Sequence, residues 1–395
     1  MKNKIQILSV ILLLSAFIGF ASYSLTLKMI MLMFVLGVSF HEIKSNETFS
    51  KCVLAIYISV ALSAISSLIY EGQAIVDSIG MSFNVLTIGC YFFFIKRKYT
   101  SKSLFEMAIL VGKVTSVLYV IRYLCLQYGI VVGGFVDEFT LSQDASTARL
   151  RIACSGFMWF LMFYSLYRVI RKHKISDFIW FILPVLCIFL MTFRTMLVVS
   201  GLCIFILLLK MKIGVRRLFV SLFIIGAVLS AISFNNVIAE KINLRVEENK
   251  NSTFSNKDYI RVVQWKYFTE SHFANITEHI LGSGMPERHS QYGKKIEMLK
   301  TQGIFYVDWG IIGLSWMIGI LALIGIVSYL CYGIKISWQL PPYFSVWLIF
   351  MLLISVTTAE TIRDGNFIAQ AIILALISKI KKNNYEGRNI NISQS

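Results

Sequence analysis

The chain has 395 residues, of which 57% are hydrophobic and 15% are charged, and its mean hydropathy is +0.71. Soluble domains carry charge on about 25% of their residues, so this composition excludes a soluble globular protein and predicts one bundle of membrane helices. The formal net charge of +17 is concentrated in turns between apolar segments, so it indicates membrane topology and no nucleic-acid partner.

Apolar stretches long enough to cross a bilayer as helices recur along the whole chain. We predict twelve membrane segments, at residues 5–23, 27–41, 52–70, 74–95, 104–128, 152–170, 177–193, 195–210, 218–235, 306–332, 343–358 and 365–379. Lys2 and Lys4 precede the first segment, which is predicted to be an uncleaved signal anchor. The chain therefore divides into nine segments over 1–235, a long polar loop over 236–303, and three segments with a tail over 304–395.

Clusters of lysine and arginine follow alternate segments. They are Lys96/Arg97/Lys98/Lys102, Arg168/Arg171/Lys172/Lys174, Lys210/Lys212/Arg216/Arg217 and Lys379/Lys381/Lys382. The positive-inside rule places all of them in the cytoplasm when the N-terminus is cytoplasmic. Both termini are then predicted to be cytoplasmic, and residues 133–151 and 236–303 are predicted to be outer segments.

Metal-binding patterns are weak in this sequence. The seven cysteines lie in apolar runs without ligand spacing or a disulfide framework, which is typical of small core residues. His272, His279 and His289 lie in the long loop, but no HExxH pattern accompanies them. We therefore predict neither a metal nor a cofactor.

Basic residues in the outer turns run against the positive-inside bias. They are Lys28, Arg149, Arg151, Arg194 and Arg363. Arg194 lies in TFRT between two apolar segments, where a guanidinium at membrane depth needs a partner. Snorkelling to headgroups, or pairing with acids such as Glu360 and Asp308, is the structural alternative. Because the planar fork of arginine fits a phosphate or diphosphate, we predict that these residues face an anionic ligand.

The long loop carries a second group of candidates. Ser255 and Asp258 have the spacing of a capping box, which predicts a helix over 256–271 with Arg261 and Trp265 one turn apart on the same face. The polar stretch GSGMPERHSQYGKK follows at 282–295 and includes His289. An imidazole there is either a solvated side chain or a base for a sugar hydroxyl.

These features together resemble the O-antigen polymerase and O-antigen ligase superfamily. The resemblance is carried by Arg194 in TFRT, the Arg261–Trp265 helix, GSG followed by His289 in RHSQY, and DWGIIG from Asp308 to Gly313. It implies a GT-C-like membrane fold with about twelve transmembrane helices and one long periplasmic loop in the bacterial inner membrane. It also implies metal-independent transfer of an oligosaccharide from an undecaprenyl-pyrophosphate donor.

The resemblance assigns roles to the candidate residues. It implies that Arg194 and Arg261 hold the pyrophosphate while His289 assists the acceptor hydroxyl. The further substrate contacts that we predict are Arg149, Arg151, Arg363, Trp265 and Glu287.

Three other functions remain open at the level of sequence. The ligase pattern has a glycine about ten residues after its histidine, but here Lys300 stands in that place and Gly303 comes late, which favours a polymerase over a ligase. A flippase for lipid-linked glycan needs helix breaks near the midplane, whereas Pro184 is the one proline well inside a segment. A scaffold explains the topology but not the outer arginines. The expected partners are the lipid-linked oligosaccharide, membrane lipid and a chain-length regulator protein.

Overall fold

The computed structural model describes residues 2–15, 24–44, 47–130, 132, 135–136, 150–191, 194–211, 259–356 and 358–385. The ninth predicted segment, 218–235, lies outside the described residues, as do Arg149, Ser255 and Asp258. Within the described ranges the chain is almost entirely helical. One short antiparallel ladder pairs β1, Phe135–Val136, with β2, Leu150–Arg151.

Eleven α-helices are described before the long loop. They are α1 Lys2–Leu14, α2 Leu25–Val38, α3 Phe40–Lys44, α4 Ser50–Tyr70, α5 Ile75–Met81, α6 Phe83–Leu86, α7 Cys90–Phe94, α8 Ser101–Gln127, α9 Ser155–Lys172, α10 Ile175–Leu190 and α11 Arg194–Lys210. A 3₁₀ turn, Thr87–Gly89, joins α6 to α7.

The described part of the long loop and the C-terminal region add seven α-helices. They are α12 Ile260–Lys266, α13 Ile276–Leu281, α14 Gln291–Thr301, α15 Gly310–Ile318, α16 Ile320–Ser337, α17 Pro342–Ser355 and α18 Asn366–Tyr385. A π-helical turn, Tyr267–Ser271, extends α12, and 3₁₀ turns occupy Tyr306–Trp309 and Ala359–Ile362.

Three of the described helices, α4, α8 and α16, are long and apolar enough to cross a membrane. The pair Ile75–Met81 and Phe83–Phe94, bent by 64°, makes a fourth candidate if it forms one broken span. Shorter apolar helices include α2, α10 and α17. This is an all-α membrane protein, as predicted, whereas the count of twelve spans and the GT-C-like arrangement stay predictions.

Close helix packing depends on small residues. A Cβ on Gly112 of α8 would lie 2.5 Å from the carbonyl oxygen of Phe157 in α9, so these two helices meet backbone to backbone. Gly325 of α16 similarly approaches the carbonyl oxygen of Cys52 in α4. Without water to drive apolar association inside a bilayer, such close approach provides the van der Waals contact that holds helices together.

Two of the basic turns lie together at one end of the bundle. The Lys379 ammonium donates hydrogen bonds to the carbonyls of Ile95 and Lys96, at 2.8 and 2.7 Å, and the Lys96 ammonium donates to the carbonyl of Val38 at 2.5 Å. Two clusters that the positive-inside rule assigned to one side therefore lie together. We call this the basic end. The opposite end, formed by residues 70–84, 150–154, 259–309 and 358–366, is called the loop end.

Helix breaks are present, contrary to the expectation from proline content. The predicted segment 306–332 is interrupted at Gly319, whose φ of +89° ends α15 before α16 begins. Ser59 of α4 bridges the break, because its hydroxyl donates to the Ile318 carbonyl at 2.6 Å and accepts from the Ala322 amide at 3.0 Å. A glycine with a left-handed backbone breaks a helix as effectively as proline, and an apolar sequence does not reveal it.

The polar GSG stretch also contributes to this break. The amides of Ser283 and Gly284 donate to the carbonyls of Trp316 and Met317 at the end of α15, at 3.1 and 2.7 Å. Carbonyls at a helix end require partners when water is excluded. This polar stretch therefore docks along α15 and donates hydrogen bonds to the carbonyls of its last turn.

Candidate functional site

A cavity of about 210 Å³ lies at the loop end between turns that are far apart in sequence. Its lining residues are Asn84, Arg151, Ile152, Ala153, Arg363 and Asp364. Arg151 comes from β2, and Arg363 follows the 3₁₀ turn Ala359–Ile362. The structure therefore brings two of the predicted substrate-binding arginines to one cavity, which we call the arginine cavity.

Carboxylates accompany the basic groups of the arginine cavity. Nε of Arg363 lies 2.5 Å from Oε1 of the buried Glu360, an ion pair without the angle of a hydrogen bond. Nζ of Lys28 lies 3.8 Å from Oδ2 of Asp364, and both side chains are largely buried. Arg151 also lines the cavity, so two guanidinium groups and the Lys28 ammonium lie near the carboxylates of Glu360 and Asp364. Partial burial limits screening, which strengthens the attraction of these guanidinium groups for an anionic ligand.

Backbone contacts hold the two turns of the arginine cavity together. The amide of Cys154 donates to the carbonyl of Asp364 at 2.9 Å, and the Gly156 amide donates to Oδ1 of Asn366 at 2.7 Å. Gly365 has φ +77°, and a Cβ there would lie 2.2 Å from Sγ of Cys154. The two arginines are thus carried by segments fixed to each other, which preorganises the cavity before any ligand enters.

Arg261 and Trp265 lie on α12, as predicted for this part of the loop. Arg261 is half-buried, and within the described residues its side chain makes no hydrogen bond or ion pair. Trp265 is 42% exposed, with its ring 4.8 Å from that of Trp309 and 5.8 Å from that of Trp316. The side chain of Gln264 donates a hydrogen bond to Asp308 in the turn Tyr306–Trp309, and that turn contacts the 3₁₀ turn Ala359–Ile362, which precedes Arg363.

Two other predicted arginines cannot be placed at this cavity. Arg149 lies outside the described residues. Arg194 begins α11, but its side chain is outside the described part of the chain. Their predicted contacts with a pyrophosphate stay predictions.

His289 and Glu287 lie in the turn before α14. The side chain of His289 is exposed, and its amide and that of Ser290 both donate to Oε2 of Glu287 at 2.8 Å. The Ser290 hydroxyl caps α14 by accepting from the Gly293 amide at 2.8 Å. The Glu287 carboxylate therefore closes this turn, while the predicted roles of His289 in catalysis and of Glu287 in substrate binding stay predictions.

Gln73, which the sequence did not single out, fixes this turn to the bundle. Its Oε1 accepts from the Glu287 amide at 2.8 Å and from the Ser290 hydroxyl at 2.9 Å. Its Nε2 donates to Oγ of Ser78 at 2.5 Å and to the Met285 carbonyl at 2.8 Å. One buried amide thus uses both of its ends to hold the loop against the corner between α4 and α5.

A buried hydrogen-bonded chain joins His272, Ser283 and Tyr292. Nε2 of His272 lies 3.0 Å from the Ser283 hydroxyl, which lies 2.7 Å from the Tyr292 hydroxyl. Burial, with smaller effects of Lys295 and His279, lowers the pKa of His272 to about 3, so its imidazole is neutral at pH 7. All three side chains are nearly inaccessible, so this chain holds the loop in shape. No local pattern in the sequence distinguishes His272 from the other loop histidines.

Within the described part of the chain, no group of three or more His, Cys, Asp or Glu residues is arranged to hold a metal ion. No family model, curated protein or solved structure matches this chain. The likeness to O-antigen polymerases and ligases therefore rests on the sequence motifs that contain Arg194, Arg261, His289 and Asp308.

Proposed function

We propose that this protein is a surface-polysaccharide polymerase, of the O-antigen type, that joins undecaprenyl-pyrophosphate-linked oligosaccharide repeats at the outer face of the bacterial inner membrane. The main support is the arginine cavity, where Arg151 and Arg363 line one space at the end opposite the basic turns. Guanidinium groups bind phosphate oxygens in pairs, and a cavity at the ends of membrane helices suits a headgroup whose lipid tail stays in the bilayer. In this proposal both termini are cytoplasmic and a chain-length regulator is a partner.

The proposed reaction transfers a glycan from its lipid diphosphate to a sugar hydroxyl. The acceptor oxygen forms a bond to C1 of the donor's reducing-end sugar, and the bond from C1 to the diphosphate oxygen breaks. Negative charge grows on the departing diphosphate, so cations fixed around it stabilise the transition state more than the ground state. Arg151 and Arg363 serve this role at the cavity, and Arg194 and Arg261 are proposed to join them.

A flippase for the same lipid-linked glycan is the second candidate. The helix breaks at Gly319 and at the bend between α5 and α6 favour it, because transporters place discontinuous helices at their binding sites. The break at Gly319 is, however, closed by hydrogen bonds from Ser59, Ser283 and Gly284. Because the backbone groups at this break are hydrogen-bonded within the protein, the break connects two packed helices and does not present a binding site. The polymerase therefore stays the preferred function. A ligase would use the same chemistry with a different acceptor.

A gel of surface glycan from cells with and without the gene separates these functions. Loss of a polymerase leaves single repeats at the surface, and loss of a flippase leaves no repeats there. Loss of a ligase leaves long polymer attached to the lipid carrier. We expect single repeats, and long lipid-linked polymer in the deletion strain would contradict the proposal.

Variants of the arginine cavity connect the function to the site. We expect Arg151→Ala and Arg363→Gln each to lower polymer formation by about 10²- to 10³-fold, the scale of losing one charge-stabilising donor. The matched control is Arg171→Ala, which removes an exposed arginine in the last turn of α9, outside the cavity lining. Normal chain lengths from both cavity variants, at equal protein levels, would remove the cavity from the proposal.

A further inference from the structure

Asp308 presents a half-exposed carboxylate in the turn Tyr306–Trp309. Its Oδ2 accepts a hydrogen bond from Nε2 of Gln264 at 3.0 Å. Its Oδ1 makes no hydrogen bond with any described residue, and no described cation pairs with the carboxylate. Gln264 itself is fully buried and also donates to the carbonyl of Gly303 at 2.8 Å. A buried amide therefore orients one carboxylate oxygen and leaves the other available.

The turn that carries Asp308 packs against the turn that precedes Arg363. Residues 306–309 contact the turn Ala359–Ile362, which precedes Arg363. Gly310 packs so closely that a Cβ there would meet the carbonyl oxygens of Ser355 and Thr358, at 1.9 and 2.9 Å. This contact fixes the distance between the Asp308 turn and the cavity turn, because any side chain at 310 would separate them.

Two tryptophans are sequence neighbours of the residues in the Gln264–Asp308 hydrogen bond, Trp265 of Gln264 and Trp309 of Asp308. The ring of Trp265 lies 4.8 Å from the Trp309 ring with 42% of Trp265 exposed. Exposed tryptophan combines a broad apolar surface with a polar edge, which suits the faces and hydroxyls of a sugar. An acceptor sugar on Trp265 would lie next to Gln264, whose side chain holds the Asp308 carboxylate.

We propose that Asp308 is the general base of the transfer, an inference that rests on the proposed polymerase function. Oδ1 of Asp308 takes the proton of the acceptor hydroxyl as the acceptor oxygen forms its bond to C1 of the donor sugar. The bond between C1 and the diphosphate oxygen breaks, and its electron pair leaves with the diphosphate. Asp308 then releases the proton to solvent, so atoms and charge balance without a further reactant.

His289 is the base that the sequence resemblance implies, and its surroundings differ from those of Asp308. Its side chain is exposed and its ring makes no hydrogen bond within the described residues. Its amide is used to close the turn at Glu287. A general base must be held within reach of its proton, and of the two side chains Asp308 is the one that a buried neighbour orients.

The test compares Asp308→Asn with Gln264→Leu in the purified full-length protein, supplied with lipid-linked repeats. Asparagine keeps the shape of the side chain and an oxygen that accepts from Gln264, so it removes only the basic charge. Leucine at 264 removes the hydrogen bond and keeps the carboxylate. We expect Asp308→Asn to slow single-turnover transfer by about 10²- to 10⁴-fold, and Gln264→Leu by about 10-fold or less. Binding of undecaprenyl diphosphate should be unchanged in Asp308→Asn.

Two further variants test the role of Asp308. Asp308→Glu should recover part of the rate, because a carboxylate is restored at a longer reach. His289→Gln should transfer at a rate within about tenfold of the native protein. The inference is overturned if Asp308→Asn stays within tenfold of native, or if Gln264→Leu loses as much as Asp308→Asn, which would indicate a structural role. If the native protein itself forms no polymer from lipid-linked repeats, the proposed function fails instead.

Discussion

The arginine cavity and the docked loop, residues 272–293, are both polar regions at the loop end, but their polar groups are arranged differently. At the cavity, the lining residues Arg363 and Asp364 form ion pairs with Glu360 and Lys28, respectively. In the docked loop, a neutral His272 is hydrogen-bonded to Ser283, and Gln73 satisfies the backbone of the following turn. The cavity side chains pair charges of opposite sign, whereas the docked loop is held by neutral side-chain hydrogen bonds and by backbone amides that donate to the Glu287 carboxylate.

This difference separates binding from positioning. Ion pairs around a cavity can exchange a carboxylate for a ligand phosphate at modest cost, because the cation keeps an anionic partner. Neutral buried hydrogen bonds have no such exchange partner, so breaking them costs stability. Substitutions at the cavity are therefore expected to change activity first, and substitutions in the docked loop are expected to change stability first.

The largest effect on activity is expected from Arg194 and Arg261, the two arginines to which the sequence resemblance assigns pyrophosphate binding. Arg194→Ala and Arg261→Ala should each abolish long polymer, a loss of about 10³-fold, while the protein still accumulates in the membrane. Surface-glycan gels and membrane immunoblots measure the two quantities. Normal chains from both variants would confine binding to Arg151 and Arg363.

The docked loop is tested by adding one methyl group. In Gly284→Ala the new Cβ would lie 2.4 Å from Cβ of Ser67, at a backbone φ of +81°. We expect a loss of about 3 kcal/mol in the free energy of unfolding, because overpacking adds to the left-handed backbone strain. Gly72→Ala is the matched control, since its φ is +67° and nothing lies within 4 Å of the new Cβ. The control should lose about 1 kcal/mol, and equal losses would show that Gly284 is not packed against α4.

His272 makes the stability of the protein depend on pH. Its folded pKa of about 3 lies below the unfolded value of 6.5, so its contribution to stability is complete above pH 6.5 and is lost as the pH falls towards 3. Between pH 7 and pH 5 this loss amounts to about 2 kcal/mol. His272→Gln should lack that component, whereas His289→Gln, at an exposed position, should keep it. If His272→Gln loses as much stability between pH 7 and pH 5 as the native protein does, His272 is not a buried neutral histidine.

The smallest effect is expected at Lys28. Its ammonium pairs with Asp364 behind the arginine cavity, so Lys28→Ala should weaken binding of a diphosphate lipid by about fivefold, about 1 kcal/mol. Lys295→Ala is the control, because Lys295 pairs with Glu71 at 3.0 Å. A larger loss from the Lys295 variant would place the anion elsewhere.

The sequence predicted the helices better than their breaks. Segments 52–70 and 104–128 correspond closely to α4 and α8, because a window of apolar residues directly measures the length that crosses a bilayer. Hydropathy carries no information on the sign of φ, so the break at Gly319 inside the segment 306–332 was missed. The scarcity of proline therefore did not indicate whether the helices are broken, and the preference for a polymerase over a flippase stays a prediction.

The site was predictable in its residue types and not in its contacts. Arg151 and Arg363 were identified because basic residues in outer turns oppose the positive-inside bias. Their shared cavity depends on the docking of β2 against the turn at 363–366, which no local pattern encodes. Gln73 was missed for a similar reason, since its partners Met285 and Glu287 lie in the distant loop. Asp308 was noted from the sequence as a possible ion-pair partner, and its orientation by a buried amide is visible only in the fold.

Equilibrium binding of undecaprenyl diphosphate and undecaprenyl monophosphate to the native protein and to the double variant Arg151→Ala/Arg363→Gln, in lipid nanodiscs, tests the central claim most directly. The arginine cavity predicts that the native protein binds the diphosphate lipid at least about tenfold more tightly than the monophosphate lipid, and that the double variant loses this preference. Equal binding of the two lipids by the native protein, or an unchanged preference in the double variant, would contradict a diphosphate site at this cavity.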